Sequence, residues 1–395
     1  MSMSQNRIDS QSLCSGFRKR FGGRNTPSVF FAPGRINIIG EHLDYNGGFV
    51  LPCALKAGTW LAIRPRDDDT IIATSQGFAG ELTTSWKSLD AKSEGRWWNY
   101  PLGVFHEFRK SFVPGTGFEL MFAATLPTGA GLSSSASIEV VTAYALNEML
   151  KKSYPMKEIA LLARRAENNF VGVQCGIMDQ YAVAFGKKDH ALLINTMILE
   201  HEYIPVNLGE YCFLIADTDN PRKLDASDFN ERFVECRQAL KTMQRLINIS
   251  ELAETSMEEF AGLESWFPDE KTRKRAKHII SENERVQQAC RALENADIEK
   301  LALLINESYA SSRDNFEVSC FELDALIEAA RFHGSVASRI SGAGFGGCTL
   351  NVVKKNEQDE FRKNVMNSYE KKTGLRPRFY SVNIEAGVRR IAEGD

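Results

Sequence analysis

Leu126-Pro-Thr-Gly-Ala-Gly-Leu-Ser-Ser-Ser-Ala-Ser137 stands between two patterns of different period. An extended apolar run, Phe118 to Ala124, leads in, and an apolar helical pattern, Ile138 to Leu150, leads out. Between them, Gly129 and Gly131 let the backbone pass close to a ligand or take positive φ. The backbone N–H groups of Ser133, Ser134 and Ser135 fall where a helix begins. There, unpaired donors and the positive helix end make an anion site. The serine hydroxyls add a phosphate contact or a magnesium ligand. An ordinary serine-capped loop uses the same residue types. The stretch is not the common nucleotide P-loop, because no Gly-Lys-Ser/Thr follows.

Working outward, the 395 residues are enough for two domains with cores. A formal net charge of -3 argues against nucleic acid as a main partner. No apolar run is long enough to span a bilayer, and the N-terminus carries no secretory pattern, so no membrane partner is expected. Eight scattered cysteines show no metal spacing and fit a reducing cytoplasm.

In chain order, residues 1–25 read as a polar lead-in with a short helix around Gln11 to Phe21. Val29 to Ala32 reads as a strand broken by Pro33-Gly34. Arg35, Glu41, His42 and Asp44 then crowd into ten positions threaded by glycines, a pattern suited to a polar ligand site or to a surface turn with a local ion pair. Trp60 to Arg64 and Thr70 to Thr74 alternate like hairpin strands. Trp97 and Trp98 suit either stacking on an adenine or core packing. Helical patterns cover Leu102 to Phe108 and Ser153 to about Phe170, and Glu167 on the latter reads as solvated. Asp179 lies among Gly176, Ile177, Met178 and Tyr181, where a carboxylate needs partners. Ala191 to Ile194 reads as a strand.

A second domain is expected from about 205. Tyr211 to Ala216 reads as a strand, and Ser227 or Asp228 as the cap of a long amphipathic helix. Further helices cover 270–293, 297–309, 320–331 and 357–371. Strands are read at Thr349 to Val353 and near 378–383, and Val336 to Ile340 leads into a glycine-rich stretch. Ser341-Gly-Ala-Gly-Phe-Gly-Gly-Cys348 demands close backbone approach or unusual dihedrals. The expectation is an α+β enzyme of mixed sheets and flanking helices. It would comprise a lead-in (1–25), an N-terminal domain (26–204) and a C-terminal domain (205–395) with a terminal strand return.

These stretches together resemble the galactokinases, within the superfamily that also holds homoserine, mevalonate and phosphomevalonate kinases. The resemblance rests on Ala32-Pro-Gly-Arg-Ile-Asn37 with Gly40-Glu-His-Leu-Asp-Tyr-Asn46, Pro127 to Ala136, Cys175-Gly-Ile-Met-Asp-Gln180 and Ser341 to Cys348, and it runs from about 26 to 385. It implies a two-domain small-molecule kinase fold with the active site between domains. It also implies ATP-dependent phosphorylation of galactose at O1, with ATP and Mg2+, in a cytoplasmic monomer or weak dimer. Asp179 resembles the catalytic aspartate at the sugar's anomeric hydroxyl, and Arg35 the arginine paired with it. Glu41, His42, Asp44, Gly176 and Phe229 resemble sugar-pocket residues. Gly129, Ala130, Gly131, Leu132, Ser133, Ser134 and Ser135 resemble the ATP-phosphate cradle, and Trp97 the adenine end. Ser134 or Ser135, with Glu167, resembles the magnesium environment. Gly344 and Gly346 would wall the site.

Some positions depart from the family pattern. Leu43 stands where threonine is usual, and Ser227-Asp-Phe-Asn230 places Phe229 where a tyrosine hydroxyl usually reaches the sugar region. Asn195 stands where aspartate is frequent. The first two resemble N-acetylgalactosamine kinases, which supplies the alternative activity. A catalytically silent galactose/ATP sensor is the alternative of a different class.

Overall fold

The computed structural model describes residues 8–23, 25–89, 95–127, 131–220 and 226–392. Helix α1 (Ser10–Phe21) comes first, with the Asp9 carboxylate accepting the Ser12 N–H at 2.8 Å. Strands β1 (Ser28–Asn37), β2 (Phe49–Val50), β3 (Pro52–Pro65), β4 (Thr70–Ser75) and β5 (Glu81–Ser85) follow. Then come α2 (Asn99–Arg109), β6 (Phe118–Ala124), α3 (Ser134–Met149) and α4 (Met156–Arg165), which a π-helical turn extends over Ala166–Val171. After α5 (Met178–Phe185) run β7 (His190–Asn195), β8 (Glu200–Pro205) and β9 (Tyr211–Asp217). Helices α6 (Ala226–Met243), α7 (Met257–Leu263), α8 (Glu270–Glu294), α9 (Ile298–Asp314) and α10 (Phe321–Phe332) lead to β10 (Ala337–Ser341) and β11 (Cys348–Lys354). The chain closes with α11 (Gln358–Thr373), β12 (Arg378–Ser381) and β13 (Arg389–Arg390).

The fold is α+β, as the sequence pattern implies. One sheet has the order β13-β1-β3-β6-β4-β5, a second β10-β11-β9-β12, and a third β2-β7-β8. In the first sheet, side chains alternate between two covers. Val29, Ala62, Met121 and Ala123 pack against Leu13 and Phe17 of α1, while Phe30, Leu61, Leu120 and Phe122 join the main core with Val140 and Val141 of α3. That core continues without a gap into Val286, Phe316 and Ile340 of the C-terminal half. The chain end returns to the first sheet, where Arg390 and Arg389 pair with Phe30 and Phe31.

Two local expectations are corrected. The segments Trp60 to Arg64 and Thr70 to Thr74 do not form a hairpin. β6 lies between them, antiparallel to β3 and parallel to β4. Because β6 is buried on both faces from Phe118 to Ala123, it takes a central place. Pro33-Gly34 does not end its strand either: β1 runs on to Asn37 with a register shift between Pro33 and Arg35. The cap expected at Ser227 or Asp228 adjoins residues 221–225, which lie outside the described residues, and Asp228 stands in the first described turn of α6.

Candidate active site

The β1 bulge is what aims Arg35. A Cβ on Gly34 would lie 2.5 Å from Leu126 Cδ2 and 2.6 Å from the Leu132 carbonyl oxygen, so the glycine-serine stretch presses directly on this point. The Arg35 N–H donates to the Leu132 carbonyl at 3.2 Å. Its guanidinium, buried, forks onto Asp179 through Nε to Oδ1 (2.8 Å) and Nη2 to Oδ2 (2.9 Å). Its Nη1 donates to the Gly131 carbonyl at 2.6 Å. Residues 96 and 144 positions away from Arg35 thus meet on one side chain. Asp179 sits in the first turn of α5 with its side chain 26% exposed, so a ligand can reach it.

The serine cluster is divided in its duties. Ser133 takes φ 58, ψ 45 at the start of α3 and makes no side-chain cap. Its hydroxyl donates instead to Asp179 Oδ2 at 2.6 Å. Left-handed backbone at a residue other than glycine costs about 1–2 kcal/mol, which this directed bond helps offset. Ser134 is exposed, Ser135 half-buried and Leu132 buried. Gly129 and Ala130 lie outside the described residues. The Gly131 backbone lies against the third glycine motif, since a Cβ on Gly342 would come 3.5 Å from the Gly131 carbonyl oxygen. Trp97, half-buried, meets Phe122 and Trp98 edge-on at 5.6 and 5.8 Å. Among the described residues the indole N–H groups of both tryptophans have no hydrogen-bond partner.

On the other side of Asp179 lies the turn after β1. The Asp44 carboxylate accepts the Met178 N–H at 3.3 Å. It presses on Gly176, where a Cβ would fall 2.0 Å from its Oδ2. Burial, and then repulsion from Asp179, push the Asp44 carboxyl up to about 6. His42 is buried, with Nδ1 2.8 Å from the Tyr45 hydroxyl and Nε2 3.2 Å from the Ala343 carbonyl. Burial, and next the proximity of His278, bring it down to about 3, so the ring is neutral at physiological pH. Phe229 packs on the His42 ring at 5.8 Å and the Tyr45 ring at 5.4 Å. Glu41 is also buried, bonded to Asn37 Nδ2 (2.8 Å) and the Gly342 N–H (2.9 Å) and ion-paired with Arg339. Leu43 is fully buried. Gly344 packs against Val318, whose carbonyl oxygen would lie 2.4 Å from a Cβ there, while Gly346 has nothing within 4 Å of that position.

Glu167 is buried, not solvated as its helical position implies, because the π-helical turn rolls it inward. Gln180 Nε2 donates to its Oε2 at 2.6 Å and lies 3.5 Å from Glu139 Oε2. Burial and then the charge of Asp179 raise the Glu167 carboxyl, while the Ser135 hydroxyl pulls it back. Glu139 is raised by burial and then by Glu167, and its Oε1 has no partner among the described residues. Two crowded buried carboxyls beside a serine hydroxyl form an all-oxygen donor set short of positive charge. That set fits Mg2+, which is held by one or two carboxylates and keeps several waters. Among the described residues no group of three or more His, Cys, Asp or Glu side chains forms a metal site.

Sequence reasoning found Arg35, Asp44, Gly176 and Asp179, and the structure brings them together. It missed the Ser133 bond to Asp179, along with Tyr45, Glu139, Gln180 and Arg339. Glycine spacing signals backbone approach but carries no sign of which distant side chain fills the space.

Fold and site together define a GHMP-type small-molecule kinase. Residues 99–187 match the GHMP kinases N terminal domain and residues 289–371 the GHMP kinases C terminal model. Residues 15–65 match the galactokinase galactose-binding signature. The chain is 42% identical over 386 residues to a galactokinase of Fusobacterium nucleatum, covering 96% of this chain and 99% of the relative. It is 40% identical over 379 residues to a galactokinase of Bacillus subtilis, covering 95% and 97%. The crystal structure of Lactococcus lactis galactokinase complexed with galactose matches with a TM-score of 0.94 at 37% identity, over 96% of this chain and 99% of that one. The chain belongs to the galactokinase family.

Proposed function

We propose that the protein transfers the γ-phosphoryl group of ATP to O1 of D-galactose, giving α-D-galactose 1-phosphate and ADP. The observation that carries this reading is the reachable Asp179 carboxylate, forked by Arg35 where the sugar-side turn and the phosphate-side serine stretch meet. The O1–phosphorus bond forms as the bond between the γ-phosphorus and the β–γ bridging oxygen breaks. Asp179 orients the O1 hydroxyl and receives its proton. Arg35 keeps Asp179 in place and sets positive charge beside the transferring group. The N–H groups at the start of α3 hold the phosphates, and the neighbourhood of Trp97 takes the adenine. Ser134 or Ser135, with Glu167, would hold Mg2+, which when bound neutralises phosphate charge.

Asp44 and Gly176 frame the sugar side, with His42, Glu41 and Phe229 shaping the wall behind. The relatives of high identity are galactokinases, so neither N-acetylgalactosamine nor a silent sensor is retained as the leading reading. None of the described helices is long and apolar enough to cross a membrane. Eight free cysteines suit the reducing cytoplasm proposed as its location.

The test is kcat/KM for galactose, glucose and N-acetylgalactosamine at one ATP concentration. Galactose should rank first, because a mismatched hydroxyl strands buried polar groups at about 1–3 kcal/mol each. A clear preference for N-acetylgalactosamine overturns the substrate while leaving the kinase. Tight binding of both ligands without turnover overturns the enzyme.

A further inference from the structure

Arg339, on β10, is fully buried and points back into the turn that follows β1. Its Nη1 donates to the carbonyls of Asn37 (3.3 Å) and Ile38 (3.1 Å), and its Nη2 forms a close ion pair with Glu41. The second Glu41 oxygen accepts the Gly342 N–H at 2.9 Å. One guanidinium therefore ties the end of β1 to the glycine motif just downstream of its own strand.

Behind it stands Glu282 of α8, also fully buried, 4.0 Å from Arg339 Nη2. Glu282 Oε1 accepts the Gly40 N–H (3.0 Å) and the Ser308 hydroxyl (2.5 Å), and Oε2 accepts Arg285 Nε (2.8 Å). Burial alone would raise this carboxyl, but Arg285, His278 and Arg339 outweigh it and bring it down to about 2, so it stays charged. Two elements of the C-terminal half, α8 and β10, thus converge on residues 37–41, with α9 bracing Glu282 through Ser308.

Apolar side chains would join these elements at lower cost, since buried ions lose their hydration. What the ionic chain supplies instead is one permitted geometry. The bonds of Arg339 run to the turn, whereas the Arg35–Asp179 pair is held independently by Gly131 and Ser133. We infer that Arg339 is a positioning residue for sugar recognition, fixing through Glu41 and the 37–38 carbonyls the place of the turn that carries His42 and Asp44. This rests on the reading of that turn as the sugar side.

Arg339→Lys keeps the charge but cannot reach two carbonyls and a carboxylate at once. With the fold retained by circular dichroism, galactose KM should rise about tenfold while kcat stays within about threefold, as expected when a recognition turn shifts but the reacting pair does not. Glu282→Gln keeps an acceptor for Gly40 and removes the charge beside Arg339, so galactose KM should rise in the same direction by less. A folded Arg339→Lys with lowered Tm and wild-type galactose KM reduces the residue to a stabiliser and overturns the inference. If Arg339→Lys does not fold, wild-type galactose KM in Glu282→Gln overturns it instead. Asp44→Asn separates the two levels. If it leaves galactose affinity unchanged, the sugar-side reading fails; if it weakens binding while both other variants do not, only the role of Arg339 fails.

Discussion

Gly176→Ala adds one methyl group where the proposed sugar turn and the proposed catalytic segment touch. The new Cβ would stand 2.0 Å from Asp44 Oδ2 and 2.2 Å from its Cγ, whereas ordinary contact begins at 3.4 Å. The two groups must separate by 3.4 − 2.0, or about 1.4 Å. Asp44 is held by the Met178 N–H, and Gly176 lies three residues before Asp179, so either relief moves a group proposed to touch sugar. A displacement of about 1 Å in such a site costs on the order of 10²-fold in rate, and overpacking costs about 1–3 kcal/mol of stability. The atoms nearest a Cβ on Gly176 all belong to Asp44 and none to the proposed phosphate-side stretch, so nucleotide affinity should be unchanged. The assay is kcat/KM for galactose at saturating ATP, with ATP binding measured separately and folding checked by circular dichroism. A folded variant with wild-type kcat/KM would falsify the placement of Asp44 and Gly176 against the sugar.

Two further outcomes follow from the same geometry. With its carboxyl raised to about 6, Asp44 takes up a proton as pH falls through that value and loses its charged acceptor. kcat/KM for galactose should therefore decline below pH 6 with a single-proton slope, and a pH profile of Asp44→Asn should lack that limb. Because the native state holds this proton to higher pH than the unfolded chain, Asp44 contributes stability at low pH that is lost as pH rises through 6. Gly131 takes φ 68, so Gly131→Val forces a branched residue into left-handed backbone beside Ser341. The strain of about 1–2 kcal/mol is relieved by moving the loop out of place, which should weaken ATP binding, and titration showing unchanged ATP binding and turnover would contradict that placement.

The parts of this molecule that sequence makes legible are those governed by local chemistry. α8 reads from its helical pattern, and glycines such as Gly34 and Gly176 read as close approaches because a Cβ there would meet atoms at 2.5 and 2.0 Å. Asp179 was visible as a carboxylate among apolar neighbours. What was not legible depends on partners far along the chain. β6 enters between β3 and β4 because it is buried on both faces, a fact that appears only once α1 and α3 cover the sheet. Glu167 looks solvated on a regular helix and is buried because the helix widens by a π turn at that point. Arg339 and Glu282 carry no motif, and their meaning lies in contacts with residues 37–41, more than 240 positions away.

Asp179→Asn reaches the proposed reacting pair itself. The amide preserves shape, so galactose and ATP should still bind, but it cannot accept the O1 proton and no longer matches the Arg35 fork. At saturating ATP and galactose, kcat should fall by about 10²–10⁴-fold, the usual range for a lost general base, while both dissociation constants, measured separately, move far less. A correctly folded Asp179→Asn protein that turns over galactose at the wild-type kcat would contradict the assignment of Asp179 as the carboxylate on which the transfer depends.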